Sequence, residues 1–543
     1  MKKQFSVLLS SLLAISLLTS CTDSGETTSS NSTADNGGAG TESSQASETF
    51  TYPMQYDGEP ISIFVNDLFG LHKSFTSADE SPLHIGIEKY TGLDFDWSFP
   101  PLGSDATQAL NLELAKSDLP AAVGNIKPKD VELYIEDGVL IDLAEYLPKY
   151  APNYWAILND PANEHIRKTY TTDSGKIGLF GFWREEDFGA VWRGPMLRKD
   201  ILDKEGVDIP QTIADWEEVF EVMKNNGLNT VGELGNFDIF LGSGFGAYGT
   251  FSKQIYLDNG EVKIAQMQPE WKDYMIKMNE WYEAGYIDPD ILTMDDATMK
   301  SKVANNTAGI VTGAMSRVTY FAQETENTGN GQEWVGVPFP SEAEGEPACQ
   351  IWLEDVARGD GIGITTAATE EEIEALCRAF DWFYTEEGNY YINFGEEGVT
   401  HTRDADGNLV WTDALVNGAE PLREEITKYA TMAGASLGWQ RTELVEALNV
   451  PQAVEAVEAW RSNQVAAEHL YPAGVSFTVD EQDDKANYES VIDTYIKECA
   501  LKFMTGEMDI NTEYDAFLQQ LDKIKVNELI AIYQAGYDRF NER

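Results

Sequence analysis

"ISIFV", Ile61–Val65, places four apolar residues in five positions. A strand with one face in water alternates apolar and polar residues. A short, almost continuous run of this kind is what a strand covered on both faces needs. Leu93-Asp94-Phe95-Asp96-Trp97 does alternate, and it reads as a half-buried strand. Between the two, Pro82–Tyr90 has helical spacing and is stopped by Gly92. A doubly covered strand, a helix and a second strand in succession make the crossover unit of a parallel sheet.

The same alternation continues outward. Thr212 and Asp215 are spaced as a capping box, Trp216, Val219, Phe220 and Met223 share one helical face, and Gly227 supplies the stop. Trp271, Tyr274, Met275, Met278, Trp281 and Tyr282 repeat that spacing, and Thr369 with Glu372 caps a helix carrying Ile373, Leu376, Cys377, Phe380, Phe383 and Tyr384. Both stripes read as core. Ile255–Ala265 around Asn259-Gly260 and His401–Thr412 around Asp406-Gly407 carry hairpin turn chemistry. After about Thr412 the pattern is mostly helical. The expected class is α/β, in lobes with largely parallel sheets.

Composition narrows the function. Of 543 residues 42 % are hydrophobic, with 13 Trp, 24 Tyr and 24 Phe, so the body is globular and large enough for two packed lobes. The formal net charge of −54 repels nucleic acid and other polyanions. A dispersed acidic surface serves solubility and points to no particular cation. Five scattered histidines (72, 84, 165, 401 and 469), no CxxC and no HExxH argue against a zinc site, and no cofactor is implied.

The N-terminus reads as an export signal. Met1-Lys2-Lys3 precedes the apolar stretch Phe5–Leu18, which is shorter than the roughly 20 residues a membrane span needs. Leu18-Thr19-Ser20-Cys21 resembles the bacterial lipobox, which implies cleavage after residue 20 and a diacylated, palmitate-bearing Cys21; an ordinary signal peptide with an incidental cysteine is the alternative. Residues 22–49 hold five acids and no Lys, Arg or aromatic residue, so they cannot bury enough surface to order. This 28-residue coil would reach about 30 Å from a membrane. Cys349, Cys377 and Cys499 remain, enough for one disulfide at most.

Catalytic motifs fail in context. Gly244-x-Gly246-x-x-Gly249 lacks the helix that a dinucleotide fingerprint requires and reads as a glycine-rich cleft loop. Asp404–Asn408 starts like a calcium loop but lacks one ligand position and the distal Glu. Acidic pairs such as Glu185-Glu186-Asp187, Asp288 with Asp290 and Glu396-Glu397 are expected by chance in so acidic a chain.

Four segments occur in a set order: "KYTGLDFDW" (89–97), "LRKDILDKEGVDIPQTIADWEEVF" (197–220), "WYEAGYIDPDILTMDDATMKSKVANNTAGIV" (281–311) and "NFGEEGVTHTRDADGNLVW" (393–411). With the lipobox they resemble the extracellular solute-binding lipoproteins of bacterial carbohydrate ABC importers, family 1 type, closest to the large LplA-like oligosaccharide subgroup. The resemblance runs from about Ile61 to the end. It implies a two-lobe periplasmic-binding-protein-like fold with a ligand cleft and a mostly helical C-terminal part. The chain would cross between lobes near Trp183–Gly189, Phe339–Ile351 and Asn393–His401. Lobe one would take 57–185 and 345–397, and lobe two 186–344 and 398–543. Some relatives carry an acidic calcium loop after the helix matching Asp215–Met223. Here that stretch is "KNNGLNTVGEL" (224–234), without the ligand series, so no metal is expected. Leu119-Pro120-Ala121-Ala122 stands where relatives often have Pro-Asp.

A pyranose offers apolar C–H faces to Trp or Tyr and hydroxyls to Arg, Asp or Asn. Residues of those types lying in loops and crossings, outside helical periodicity, are the expected ligand contacts: Asn66 and Asp67, Trp183, Arg184 and Asp187, Tyr248, Arg317, Trp352, Asp355 and Arg358, and Trp439 with Arg441. The expected function is capture of a neutral oligosaccharide and delivery to the permease subunits of an ABC importer. The protein would be a monomer, lipid-anchored on the extracellular face of the cell membrane. A lipid-anchored glycoside hydrolase or lyase and a peptide-binding surface lipoprotein are the alternatives.

Overall fold

Ile61–Phe64 forms strand β1 and pairs in parallel with β2 (Phe95–Ser98) on one side and β3 (Ala122–Ile126) on the other. The computed structural model that shows this describes residues 50–66, 71–101, 103–185, 191–231, 242–248, 251–348, 355–357, 360–431, 437–463 and 469–543. The leader, the tether and Cys21 lie outside the described residues, as do Asp67, Asp187, Trp352 and Arg358.

The remaining strands are β4 (Phe180–Arg184), β5 (Arg193–Arg198), β6 (Asn229–Val231), β7 (Ile255–Asp258), β8 (Glu261–Ile264), β9 (Ala308–Ala314), β10 (Trp334–Gly336), β11 (Gly361–Ile364), β12 (His401–Arg403), β13 (Leu409–Trp411) and β14 (Gly438–Gln440). One sheet has the order β14-β4-β11-β3-β1-β2 and the second the order β10-β5-β9-β6. The pairs β7–β8 and β12–β13 form the two hairpins. The capping boxes at Thr212–Asp215 and Thr369–Glu372 are both closed, and Gly92 ends the helix Pro82–Thr91 with φ of 79°.

Each sheet has its own core. The first is built around Ile61, Ile63, Val123, Phe180, Phe182, Ile362, Phe380 and Trp382. The second is built around Met196, Trp216, Phe220, Trp271, Trp281, Ile310 and Trp460. The long helices Val479–Thr505, Ile510–Lys523 and Val526–Glu542 contribute Ile496, Phe503, Phe517 and Leu529 to the second core. A small third cluster, Phe394, Leu415, Ile426, Ala430, Leu444 and Leu448, lies beside the first core.

Two features differ from the expected pattern. β11 is antiparallel to β3 and β4, and β5 is antiparallel to β9 and β10. The reason lies in chain path: β5 and β11 are the first strands after the chain passes from one core to the other. A strand entering a lobe straight from a crossing starts at the edge where the others end, so it runs against them. The third passage also falls later than Asn393–His401. β14 returns to the first sheet and pairs with Phe182–Arg184, Leu444 and Leu448 belong to the cluster beside the first core, and Val445 and Val450 already pack against the second, which buries Ala453.

Polar contacts also tie the lobes together. Arg543 donates to Asp173 Oδ1 at 2.8 Å and to the carbonyl oxygens of Lys168 and Gly474 at 2.8 and 2.9 Å. Arg539 donates to the other oxygen of Asp173 at 3.0 Å. Among the described residues no helix is long and apolar enough to cross a membrane.

Candidate functional site

All first-sheet strands except β11 run the same way, so Asn66, Arg184 and Arg441 lie at or just beyond three carboxyl ends at one edge of the sheet. In open α/β sheets that edge is where ligands bind. It is also the edge from which the chain departs for the second lobe after β4.

An aromatic ladder stands there. Tyr384 lies parallel to Trp183, with centroids 5.6 Å apart and planes at 19°. Trp183 in turn stacks on Trp439 at 5.9 Å and 14°. The parallel register that sets Trp439 opposite Trp183 produces the second step. Exposure grows along the ladder, from buried Tyr384 and Trp183 to half-buried Trp439. Beyond it the Arg441 guanidinium lies 5.6 Å from the Trp439 ring and 5.7 Å from the Tyr390 ring. Arg441 Nη2 is 2.8 Å from the exposed Glu386 carboxylate but off the line of a good hydrogen bond. An apolar ring face beside a guanidinium matches the two sides of a sugar ring.

The other expected contacts divide into groups. Asn66 donates to the Ala106 carbonyl at 2.7 Å, and its buried Oδ1 meets no donor among the described residues. Arg184 is buried and donates to the Asp355 carbonyl at 3.4 Å. The Asp355 carboxylate takes the backbone N–H groups of Ala357 at 3.0 Å and Ala473 at 3.4 Å, and burial pushes its carboxyl up from the usual range. Both Asp355 oxygens are therefore engaged in joining the second passage to the segment at Ala473. Tyr248 and Arg317 belong to the second lobe. Tyr248 stacks on Tyr256 at 4.4 Å, and Arg317 pairs with Asp296 and lies along Gly313.

Tyr390, Glu386 and the Trp192–Arg193 pair were not read from the sequence. Arg193 lies 3.8 Å over the Trp192 ring at the start of β5, and the buried Trp192 Nε1 meets no acceptor among the described residues. The signal was available, since "VWRG" (191–194) sits where the chain enters the second lobe.

Metal chemistry fits poorly. Among the described residues His72, Glu420 and Glu424 have ligand atoms close enough to share an ion. The Lys73 ammonium, however, already lies 2.9 Å from Glu420 and 3.7 Å from Glu424. Ser74 N–H donates to His72 Nδ1 at 3.1 Å, which leaves the proton on Nε2, 3.5 Å from Glu420. This is an ion-paired cluster. Residues 224–231 include no carboxylate, and the Lys224 ammonium caps the Ala284 carbonyl at 2.8 Å, so the stretch offers no site for the hard, charged oxygens calcium needs.

Two α/β lobes, each with its own core, and an aromatic, arginine-edged carboxyl end fit the two-lobe architecture of solute-binding proteins. The bacterial extracellular solute-binding protein family matches residues 76–390, more than half of the chain, and the protein belongs to that family. It binds solute and is not an enzyme. It is 24 % identical over 492 residues to the fructooligosaccharide ABC transporter substrate-binding protein FusA of Streptococcus pneumoniae, covering 84 % of this chain and 86 % of that one. Lipoprotein LipO of Bacillus subtilis is 23 % identical over 339 residues, 59 % of this chain and 64 % of the relative. Among solved structures, an HMO-binding, ABC-transporter-associated solute-binding protein of Bifidobacterium longum infantis has a TM-score of 0.71 at 17 % identity, covering 89 % of this chain and 99 % of that one. The alginate-binding protein AlgQ2 has a TM-score of 0.69 at 20 % identity with the same coverage. These likenesses show the fold; the proteins that share it are described as binding different saccharides, so the fold alone names no ligand.

Proposed function

We propose that the protein captures a neutral oligosaccharide between its lobes and hands it to the permease of an ABC importer. A diacylated Cys21 and the tether at 22–49 would hold it at the outer face of the membrane as a monomer. The observation that carries the ligand class is the Tyr384–Trp183–Trp439 ladder ending at Arg441. Neutrality is supported by the charge pairing: Arg441 faces Glu386, Arg403 faces Glu443 and Arg317 faces Asp296, so no surplus positive charge awaits an anion at these points. The net charge of −54 works in the same direction at long range. Fructooligosaccharide and HMO recognition by the relatives fits the class without choosing the sugar.

Ser47–Arg543 forms one compact unit and is the material for the test. Its thermal unfolding is followed with neutral fructo- and lactose-based oligosaccharides, alginate oligomers and short peptides, and each hit is checked for cleavage. A ligand at 100 times its Kd adds about 2.7 kcal/mol of stability. A shift with a neutral oligosaccharide and no product supports the proposal; a shift with alginate or peptides alone overturns it.

A further inference from the structure

Among the described residues β14 is an edge strand, with β4 on one side and no strand on the other. In a parallel pair the N–H and C=O of alternate residues point to opposite sides. The Gln440 carbonyl accepts from Glu185 N–H on the β4 side at 2.9 Å, so the Trp439 carbonyl and the Arg441 N–H face outward, where a further strand would sit. Two asparagines occupy that place. They lie one turn apart on the helix Glu386–Phe394, and both are buried.

Their amides meet the strand on both terms. Asn389 Nδ2 and Asn393 Nδ2 donate to the one Trp439 carbonyl at 2.8 and 2.9 Å. Asn393 Oδ1 accepts from Arg441 N–H at 3.0 Å, and Asn389 Oδ1 accepts from Arg441 Nε at 2.7 Å. Asn393 Nδ2 also donates to the Asn389 carbonyl at 2.8 Å, so the two side chains are set against each other as well as against the strand. The backbone of Trp439 and the guanidinium of Arg441 are thus fixed by one unit.

We infer that Asn389 and Asn393 are positioning residues for the ligand platform: they hold the Trp439 ring on Trp183 and the Arg441 guanidinium across Trp439 and Tyr390, without touching the ligand. This rests on the oligosaccharide reading for its effect on affinity, though not for its geometry. An asparagine suits the task because its amide both donates and accepts. A carboxylate of the same shape keeps the acceptor for Arg441 but turns the contact with the Trp439 carbonyl from attraction to repulsion.

The test uses Ser47–Arg543 as wild type, N389D, N393D and W439F. Stacked indoles give an exciton couplet in circular dichroism, here taken as the difference between each protein and W439F, with no ligand present. The couplet should be present in wild type and lost or strongly reduced in N389D and N393D. With the sugar identified on wild type, the same variants should bind at least tenfold more weakly at unchanged helix content. A variant that keeps the couplet and binds within twofold of wild type overturns the inference. Hydrogen exchange of the wild-type Arg441 amide covers the case of a variant that does not fold: protection is expected, and exchange at the rate of an open sheet edge overturns it. If no sugar binds wild type, the proposed ligand class fails while the couplet and exchange still decide the clamp.

Discussion

Arg543 Nη2 lies 2.6 Å from Asp173 Oδ1, an ion pair between the end of the last helix, on the second core, and a turn that leads into β4 of the first. The Arg543 side chain is only 2 % exposed and that of Asp173 22 %, so the pair is largely removed from water. Removing the carboxylate strands a buried guanidinium, which costs about 3 kcal/mol in pairs of this kind. D173A should unfold at correspondingly lower denaturant concentration, and D173N, which retains one acceptor oxygen, should lose less. Equal stability of D173A and wild type would show that the carbonyls of Lys168 and Gly474 together with Ser476 Oγ satisfy Arg543 without Asp173.

Trp439 is half-buried and carries the accessible end of the aromatic ladder. W439A should weaken sugar binding at least tenfold, which corresponds to about 1.4 kcal/mol, with little change in unfolding midpoint. Titration calorimetry against the sugar identified on wild type measures it.

Glu489 accepts from Tyr533 Oη at 2.5 Å and lies within 2.8 Å of both Lys253 and Lys485. Burial alone would raise this carboxyl, but the Lys253 charge and the hydrogen bonds from Lys253, Lys485 and Tyr533 outweigh it and hold it down at about 2. A carboxyl depressed in the folded state stabilises it above the unfolded pKa of 4.5, and that contribution is lost as pH falls toward 2. E489Q should be less stable than wild type at pH 7, and the gap should close between about pH 4.5 and 2. Urea melts of both proteins across this range provide the comparison.

Gly181, in β4, faces the ring of buried Tyr170: a Cβ there would lie 2.3 Å from its Cζ. The ring cannot retreat cheaply, because its hydroxyl donates to the Phe182 carbonyl at 2.5 Å. G181A should cost about 1–3 kcal/mol through overpacking, read from the shift in thermal midpoint.

Residues 224–231 lack carboxylates and Lys224 points its ammonium at a carbonyl, so chelation should not matter here. EDTA followed by excess Ca²⁺ should leave both the thermal midpoint and the sugar Kd unchanged. A fall in the midpoint or a rise in the Kd on chelation, reversed by Ca²⁺, would reveal a cation site elsewhere.

What the sequence determined by itself is local. The apolar run at Ile61–Val65, the capping boxes at Thr212 and Thr369, the glycine stop at Gly92 and the Asn259-Gly260 turn each act through residues a few positions apart, so their structure could be read directly. Trp183, Trp439 and Arg441 could be singled out by residue type and by lying outside any helical stripe, although Trp183 turns out to be packed in the first core. Only the tertiary structure decided that Trp439 faces Trp183, because that register joins strands more than 250 positions apart through backbone hydrogen bonds blind to side-chain identity. The reversed direction of β5 and β11 follows from where the chain crosses between lobes, which no local periodicity encodes. Asn389 and Asn393 sit in a helix whose spacing explains them without remark. Their meaning appears only when an edge strand from a distant part of the chain arrives with one carbonyl and one N–H to satisfy, and burial makes leaving either unpaired costly.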